Sequence, residues 1–448
     1  MLVALSAVEV ADLLLPEIAA VLGVREGGGL SLEESVLAYL GGKRLLLVLD
    51  NLEQMQPYEA AAALVARLLT MRVMATSRAP LRIRAEREWP VAPLPVPDPD
   101  LELEDATASE LAALAAVPAV ALFIDRARAA RPAWQLTERN AAEVAEIARR
   151  LDGLPLAIEL AAARIRVFSP AQLVWRLGDA LDLLAAEAGA LPDRQQTLRA
   201  TIAWSHELLS FEDQAAFRRL AVFAGGFTLD AAEQVLAQAP DPWIDVLNAI
   251  DILVEQNLIY LEEPAGDEPR YEMLETIRAF GLEQLTTAHE ADTLRRLHAE
   301  WAEAFARDAD RHVTGPEAGK WLERYEQEHD NFRAAATWAI AHDPCYLGLR
   351  LPEALWRFWE IRGHYTEARN WLERSLAACP DAPPKLRGLS LDGLGNIAWR
   401  QGDFPTAERA YAESLAIWRE TNERRALSGT LSNLGNITEL QGRFAEAR

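Results

Sequence analysis

The chain has 448 residues, half of them hydrophobic, and its 45 Lys and Arg against 68 Asp and Glu leave a net charge of −23. The apolar share excludes a largely disordered chain, and the length suits about three domains. The acidic balance disfavours a broad nucleic-acid surface, while leaving room for one small phosphate ligand in a locally positive pocket.

Two cysteines, Cys345 and Cys379, make no disulfide framework, and no Cys/His cluster has zinc spacing, which favours a reducing cytoplasm. The longest uncharged apolar run, Leu111 to Ile124, contains Pro118 and falls short of the roughly 20 residues a membrane span needs. Met1 to Val8 is apolar but has no basic flank, so no signal peptide is expected.

Taken in chain order, residues 1–100 alternate strand-like and helix-like stretches. Arg44 to Asp50 and Arg72 to Thr76 are short apolar runs that each follow a helical stretch, as expected of buried parallel strands in an α/β sheet. Ser31 with Glu34 forms a capping box before the first of these, and Ser6 to Glu9 a further cap. Prolines 90, 93, 95, 97 and 99 then mark an edge strand running into an acidic linker. Residues 106–190 are helical, with Pro118 at a first helical position and Ser169 and Gln172 as a reciprocal cap. Residues 191–290 are helical until Leu258 to Glu262 and Arg270 to Met273, two strand-like runs that make a hairpin and suggest a winged helix.

A helical linker covers 291–345, and from 346 onward the chain repeats itself. Leu394-Gly395-Asn396-Ile397 recurs as Leu434-Gly435-Asn436-Ile437, and Gly402 and Phe404 recur as Gly442 and Phe444, both at an offset of 40. Gly363, Tyr365, Ala368 and Leu376 stand one unit earlier. The pattern resembles a tetratricopeptide array, with small residues where helices cross and aromatics filling the space beside them. Trp321, Trp338, Trp356, Trp359, Trp371, Trp399 and Trp418 read as helix-crossing core. The last unit stops inside its second helix at Arg448, so the natural array is expected to continue.

The chemistry concentrates near the sheet. Asp50, followed by Asn51, ends an apolar strand, where a carboxylate can hold magnesium through water. Thr76 and Arg78 follow the next strand at a spacing that allows one crossover, and a guanidinium beside that carboxylate can read a terminal phosphate. As purely structural features, Asp50 is a solvated strand end, Arg78 a surface ion-pair partner, and Gly153 and Pro155 a helix start.

Asp50-Asn51, Thr76-Ser77-Arg78 and Leu151-Asp152-Gly153-Leu154-Pro155-Leu156-Ala157 occur in the order found in STAND-class regulatory ATPases, which include plant NB-ARC resistance proteins and bacterial transcriptional regulators. Arg194 to Ser205, Phe223 to Leu229 and Met273 to Arg278 resemble the bacterial branch. The resemblance implies a mainly α chain with an N-terminal α/β part: a P-loop sheet, a helical lid, a winged helix and a tetratricopeptide sensor. It implies an ATP/ADP switch with Mg, in which Asp50 is the Walker B acid, Arg78 the phosphate sensor, and Pro155 a wall against adenine. It also implies signal transduction, an inducer or partner protein on the repeats, and nucleotide-dependent self-association.

Three departures follow. Met273-Leu274-Glu275 stands where the family often has Met-His-Asp, so the imidazole that contacts the bound diphosphate is missing. Asn51 replaces an acid that could act as base, which leaves Glu53 as the substitute and slow turnover at most. No G-x-x-x-x-G-K-[ST] occurs, and Gly41-Gly42-Lys43-Arg44 precedes a strand instead of following one. Leu2 to Leu5 looks like the second strand of the P-loop family, so the chain is expected to start after the phosphate loop, leave a gap in the middle of the sheet, and bind ATP poorly. The alternative is a non-catalytic tetratricopeptide scaffold with a degenerate nucleotide site. The segment Asp241 to Asn257 carries four acids and no Lys or Arg, so no direct nucleic-acid binding by this chain is expected.

Overall fold

The computed structural model describes residues 1–448 other than 6, 7, 9, 25–29, 42, 44, 56, 57, 68–71, 78, 79, 85, 99, 100, 102, 104–106, 178–192, 241–243, 263–267 and 444–448. Arg78, Ser6, Glu9, Asp241 and Phe444 lie outside the described residues. The chain forms two compact units. One joins Met1–Glu88 and Phe223–Gly225 to Asp292–Arg448; the other joins Trp89–Val222 to Gly226–Ala291.

In the first unit β1 (Leu2–Ala4), β2 (Leu46–Asp50) and β3 (Arg72–Ala75) form a parallel sheet in that order. Leu2 pairs with Val48, and Leu46 with Arg72. The expected gap is absent: β2 bonds directly to both neighbours, because backbone donors and acceptors left open inside a sheet are costly. Burial also departs from expectation. Val3, Leu47 and Leu49 are fully buried, but Leu2, Leu46 and Met74 are exposed, so the sheet alternates as a one-sided sheet does. Ser31 caps the Leu32–Leu40 helix with a complete capping box, as its spacing indicates.

The same unit holds five repeat helices: Leu347–Arg362, Tyr365–Ala378, Pro384–Arg400, Phe404–Glu420 and Arg424–Leu440. Small residues sit where the pattern puts them. A Cβ on Gly395 would lie 2.5 Å from the Tyr411 ring, closer than any side chain tolerates. Trp359, Trp371 and Trp418 are fully buried, and the other four tryptophans of the series are partly buried.

Charge is buried here as well. Arg333, on the His329–His342 helix, bonds Glu367 through Nε at 2.8 Å and Nη2 at 2.7 Å and pairs with Glu17 and Asp330. Asp392 accepts from Ser414 and Thr430 at Oδ1 (2.6 and 2.9 Å) and from Trp418 at Oδ2 (2.9 Å), tying three successive repeat helices together. The two cysteines, which suggested no cross-link in sequence, are joined. Cys345 precedes one helix of an antiparallel hairpin and Cys379 ends the next, which brings their Cα atoms to 5.2 Å.

In the second unit the described residues of the proline-rich stretch, 89–98, form no strand, so the expected edge strand is not formed among them. Proline removes ladder donors, and the segment is held by single bonds instead, Leu94 N to Gly153 O (3.0 Å) and Ala119 N to Pro95 O (3.2 Å). The helices Pro118–Ala130, Ala141–Arg150 and Pro155–Ala163 then pack around Phe123, which meets Trp134 edge to face at 5.8 Å. Ser169 and Gln172 form the expected reciprocal cap.

The winged helix follows: helix Phe211–Leu220, β4 (Phe227–Thr228), helix Leu229–Leu236, helix Val246–Glu255, β5 (Tyr260–Glu262), β6 (Arg270–Glu272) and helix Glu275–Thr287. Its antiparallel sheet runs β4-β6-β5. The hairpin stands where sequence placed it, while β4, only two residues long, carries no period-2 signal to read. Glu290 clamps the unit by accepting from both Arg218 and Arg219 at 2.9 Å. Burial works against its charge, but the two guanidinium groups outweigh burial and hold its carboxyl below the ordinary range.

Replacing Asp392 with Ala should destabilise the repeats by about 2–4 kcal/mol, because three buried donors lose their acceptor. Urea unfolding of the whole chain, followed by tryptophan fluorescence, checks this; an unchanged midpoint would mean those donors reach water.

Candidate functional site

Three of the sequence-predicted residues come together at the carboxyl edge of the parallel sheet. Thr76, just past β3, donates its hydroxyl to Asp50 Oδ1 at 2.5 Å. Thr76 Oγ1 in turn accepts from the Asn51 backbone N–H at 2.9 Å, and Leu52 N donates to Thr76 O at 3.0 Å. Asn51 turns the chain through the left-handed region (φ 61°), which Asn tolerates better than most side chains. The turn carries Glu53 into a short 3-10 segment, Leu52–Gln54, where it is partly buried. One Asp50 oxygen is thus fixed by a hydroxyl in a partly buried position. A carboxylate so placed can receive a hydrated divalent cation at a strand end.

Gly153 and Pro155 belong to the other unit. Gly153 has φ +67°, and a Cβ there would lie 2.0 Å from Leu94 O. Pro155 takes the first position of its helix with Leu154 as N-cap, where a missing N–H costs nothing. Asp152, also left-handed (φ 52°), accepts from Thr197 Oγ1 at 2.7 Å. The stretch is thus a rigid turn against an extended strap, a structural role that glycine and proline fill by geometry. The position of Met273-Leu274-Glu275 is equally plain: Leu274 is the helix N-cap and Glu275 accepts from Arg278 Nε at 2.9 Å.

The helix that would enter a DNA groove, Val246–Glu255, exposes Leu247, Asn248, Asp251 and Glu255, with Asp245 capping it. No cation stands among these. Its far end faces the Pro118–Ala130 and Pro155–Ala163 helices across a cleft of about 520 Å³. Glu255 pairs with Arg166 at 3.0 Å, and Asn257 Nδ2 donates to Glu159 O at 3.3 Å. Sequence reading missed these two contacts, since both partners lie some ninety residues away along the chain.

Known proteins agree with this layout. The winged helix-turn-helix domain family matches residues 209–286, and a tetratricopeptide repeat family matches 386–448. A Mycobacterium tuberculosis H37Rv protein named as an HTH-type transcriptional regulator is 36% identical over 358 residues, covering 79% of this chain and 38% of that protein. A second protein of that strain, named uncharacterized, is 36% identical over 278 residues, covering 61% of this chain and 65% of the other. The chain spans less than two thirds of either relative. A Signal Transduction ATPase with Numerous Domains (STAND) protein with a tetratricopeptide repeat sensor, from Pyrococcus horikoshii, has 13% identity and a TM-score of 0.34, covering 97% of this chain and 72% of that one. The winged helix and the tetratricopeptide repeats read from the sequence are borne out, in a chain similar to a protein named as an HTH-type regulator. Those names point toward DNA, against the acidic face of the helix just described.

Gly153→Ala should destabilise the second unit by about 2 kcal/mol or more, since both the positive φ and the approach of Leu94 oppose a methyl. Thermal unfolding of the two proteins side by side tests it; equal midpoints would show that the strap gives way freely.

Proposed function

We propose that this chain is the switch and sensor portion of a STAND-type signal-transduction regulator that controls transcription. In this reading ATP or ADP binds with Mg at the Asp50, Asn51 and Thr76 edge, Arg78 reports the terminal phosphate, and Gly153 and Pro155 line the adenine. The repeats take an inducer or a partner protein, and nucleotide state governs self-association. The Thr76–Asp50 hydrogen bond carries the proposal, because it sets a metal-competent carboxylate where α/β sheets bind ligands. Turnover is slow at most, since Asn51 cannot take a proton from water and Glu53 is the remaining candidate base.

In a form of the protein that carries a phosphate loop, Asp50→Ala should weaken Mg-ATP binding about tenfold or more, the size of one charge-assisted contact. Arg78→Ala should bring the ATP and ADP affinities closer together. Titration calorimetry with both nucleotides reads each effect. Affinities untouched by both substitutions, or no binding at millimolar nucleotide, would favour the scaffold reading, in which the repeats alone do the work.

The relatives named as HTH-type regulators raise DNA binding as a second reading. We place any DNA contact outside the Val246–Glu255 helix, because its exposed acids would meet phosphate with like charge. A random 30-base-pair duplex should show no binding to this chain below about 100 μM at physiological salt, weaker than ordinary non-specific binders reach. Micromolar binding that weakens steeply with salt, followed by fluorescence anisotropy, would overturn that placement.

A further inference from the structure

Three helix ends of the first unit converge on one point. Glu326 is the penultimate residue of the Ala318–Gln327 helix, His329 the first of His329–His342, and His364 the N-cap of Tyr365–Ala378. Each offers a donor atom, and the three atoms lie within 4.8 Å of one another. The two imidazole rings are 5.1 Å apart between centroids. His364 is nine-tenths buried, yet its Nε2 makes no hydrogen bond. That nitrogen is 3.5 Å from Glu326 Oε1. Two atoms each bound to zinc at about 2.1 Å stand roughly 3.4 Å apart around a tetrahedron, so the separation already suits a shared cation.

We infer that Glu326, His329 and His364 form a binding site for one divalent transition metal of the zinc class. Two imidazoles and a carboxylate are a borderline donor set that excludes calcium and magnesium as preferred occupants. Three protein donors leave a fourth position for water. His329 also lies 3.2 Å from Glu367, and with Glu17 these make a second three-residue group. Arg333 already occupies that side, bonding Glu367 twice and pairing with Glu17, so a cation there would have to displace a buried guanidinium. On the Glu326 side the competitor is Arg362, 3.3 Å away and a third exposed, so a cation there displaces no fully buried guanidinium. The bound metal would clamp the turns that join the linker helices to the first repeat. The site does not depend on the nucleotide reading.

The test uses the full chain, stripped with chelator and desalted. Added Co²⁺ should give a visible ligand-field band that one equivalent of Zn²⁺ abolishes, and elemental analysis should find about one zinc per chain after gel filtration. Glu326→Gln, at a partly exposed position that threatens folding little, should weaken zinc affinity roughly 100-fold or more, and His364→Gln likewise. His312→Gln, outside the cluster, should leave it unchanged. Loss of zinc from the parent chain on gel filtration, or unchanged affinity in Glu326→Gln, would overturn the site and leave a plain ion pair between Glu326 and His364.

Discussion

Arg333 is a guanidinium buried to 5% exposure, and carboxylates surround it. Burial opposes its charge, yet Glu17 and Glu367 outweigh burial and hold its proton more firmly than usual. The same attraction, against the same burial, holds Glu367 well below the ordinary carboxylate range. Glu17 belongs to the Leu14–Leu22 helix beside the parallel sheet, and Glu367 to a repeat helix. One guanidinium therefore binds a helix from the first residues of the chain to two from its last third. Losing Arg333 would leave the fully buried Glu367 without its guanidinium, a far larger cost than the net value of an intact pair.

The discretely packed ion cluster physically links a repeat helix to the helix beside the sheet. The Asp50–Thr76 edge lies in the same compact unit as the repeats, whereas the Gly153–Pro155 turn lies in the other.

The winged helix shows the limit of arguing from fold to function. Its three-stranded sheet and helix order fit a DNA-binding module, and the named relatives are consistent with one. Its groove-facing helix nevertheless presents acids, and the end of that helix is engaged by Arg166 and the Glu159 carbonyl. Fold is shared widely, while charge at the contact face is particular to each chain.

Much of this was legible in the residues themselves. The 40-residue recurrence, the capping box at Ser31, the hairpin after Leu258 and the strand ending in Asp50 are local patterns, set by helical and strand periodicity and by caps within a few residues. The meeting of Asp50, Asn51 and Thr76 followed from one crossover length. What tertiary structure alone decided depends on partners far apart in sequence: direct pairing of β2 with β3, the Cys345–Cys379 bond, the Arg333 cluster, and the approach of Glu326, His329 and His364. No spacing rule encodes such encounters, because they arise from how helices pack, and packing is settled by the whole set of buried surfaces at once.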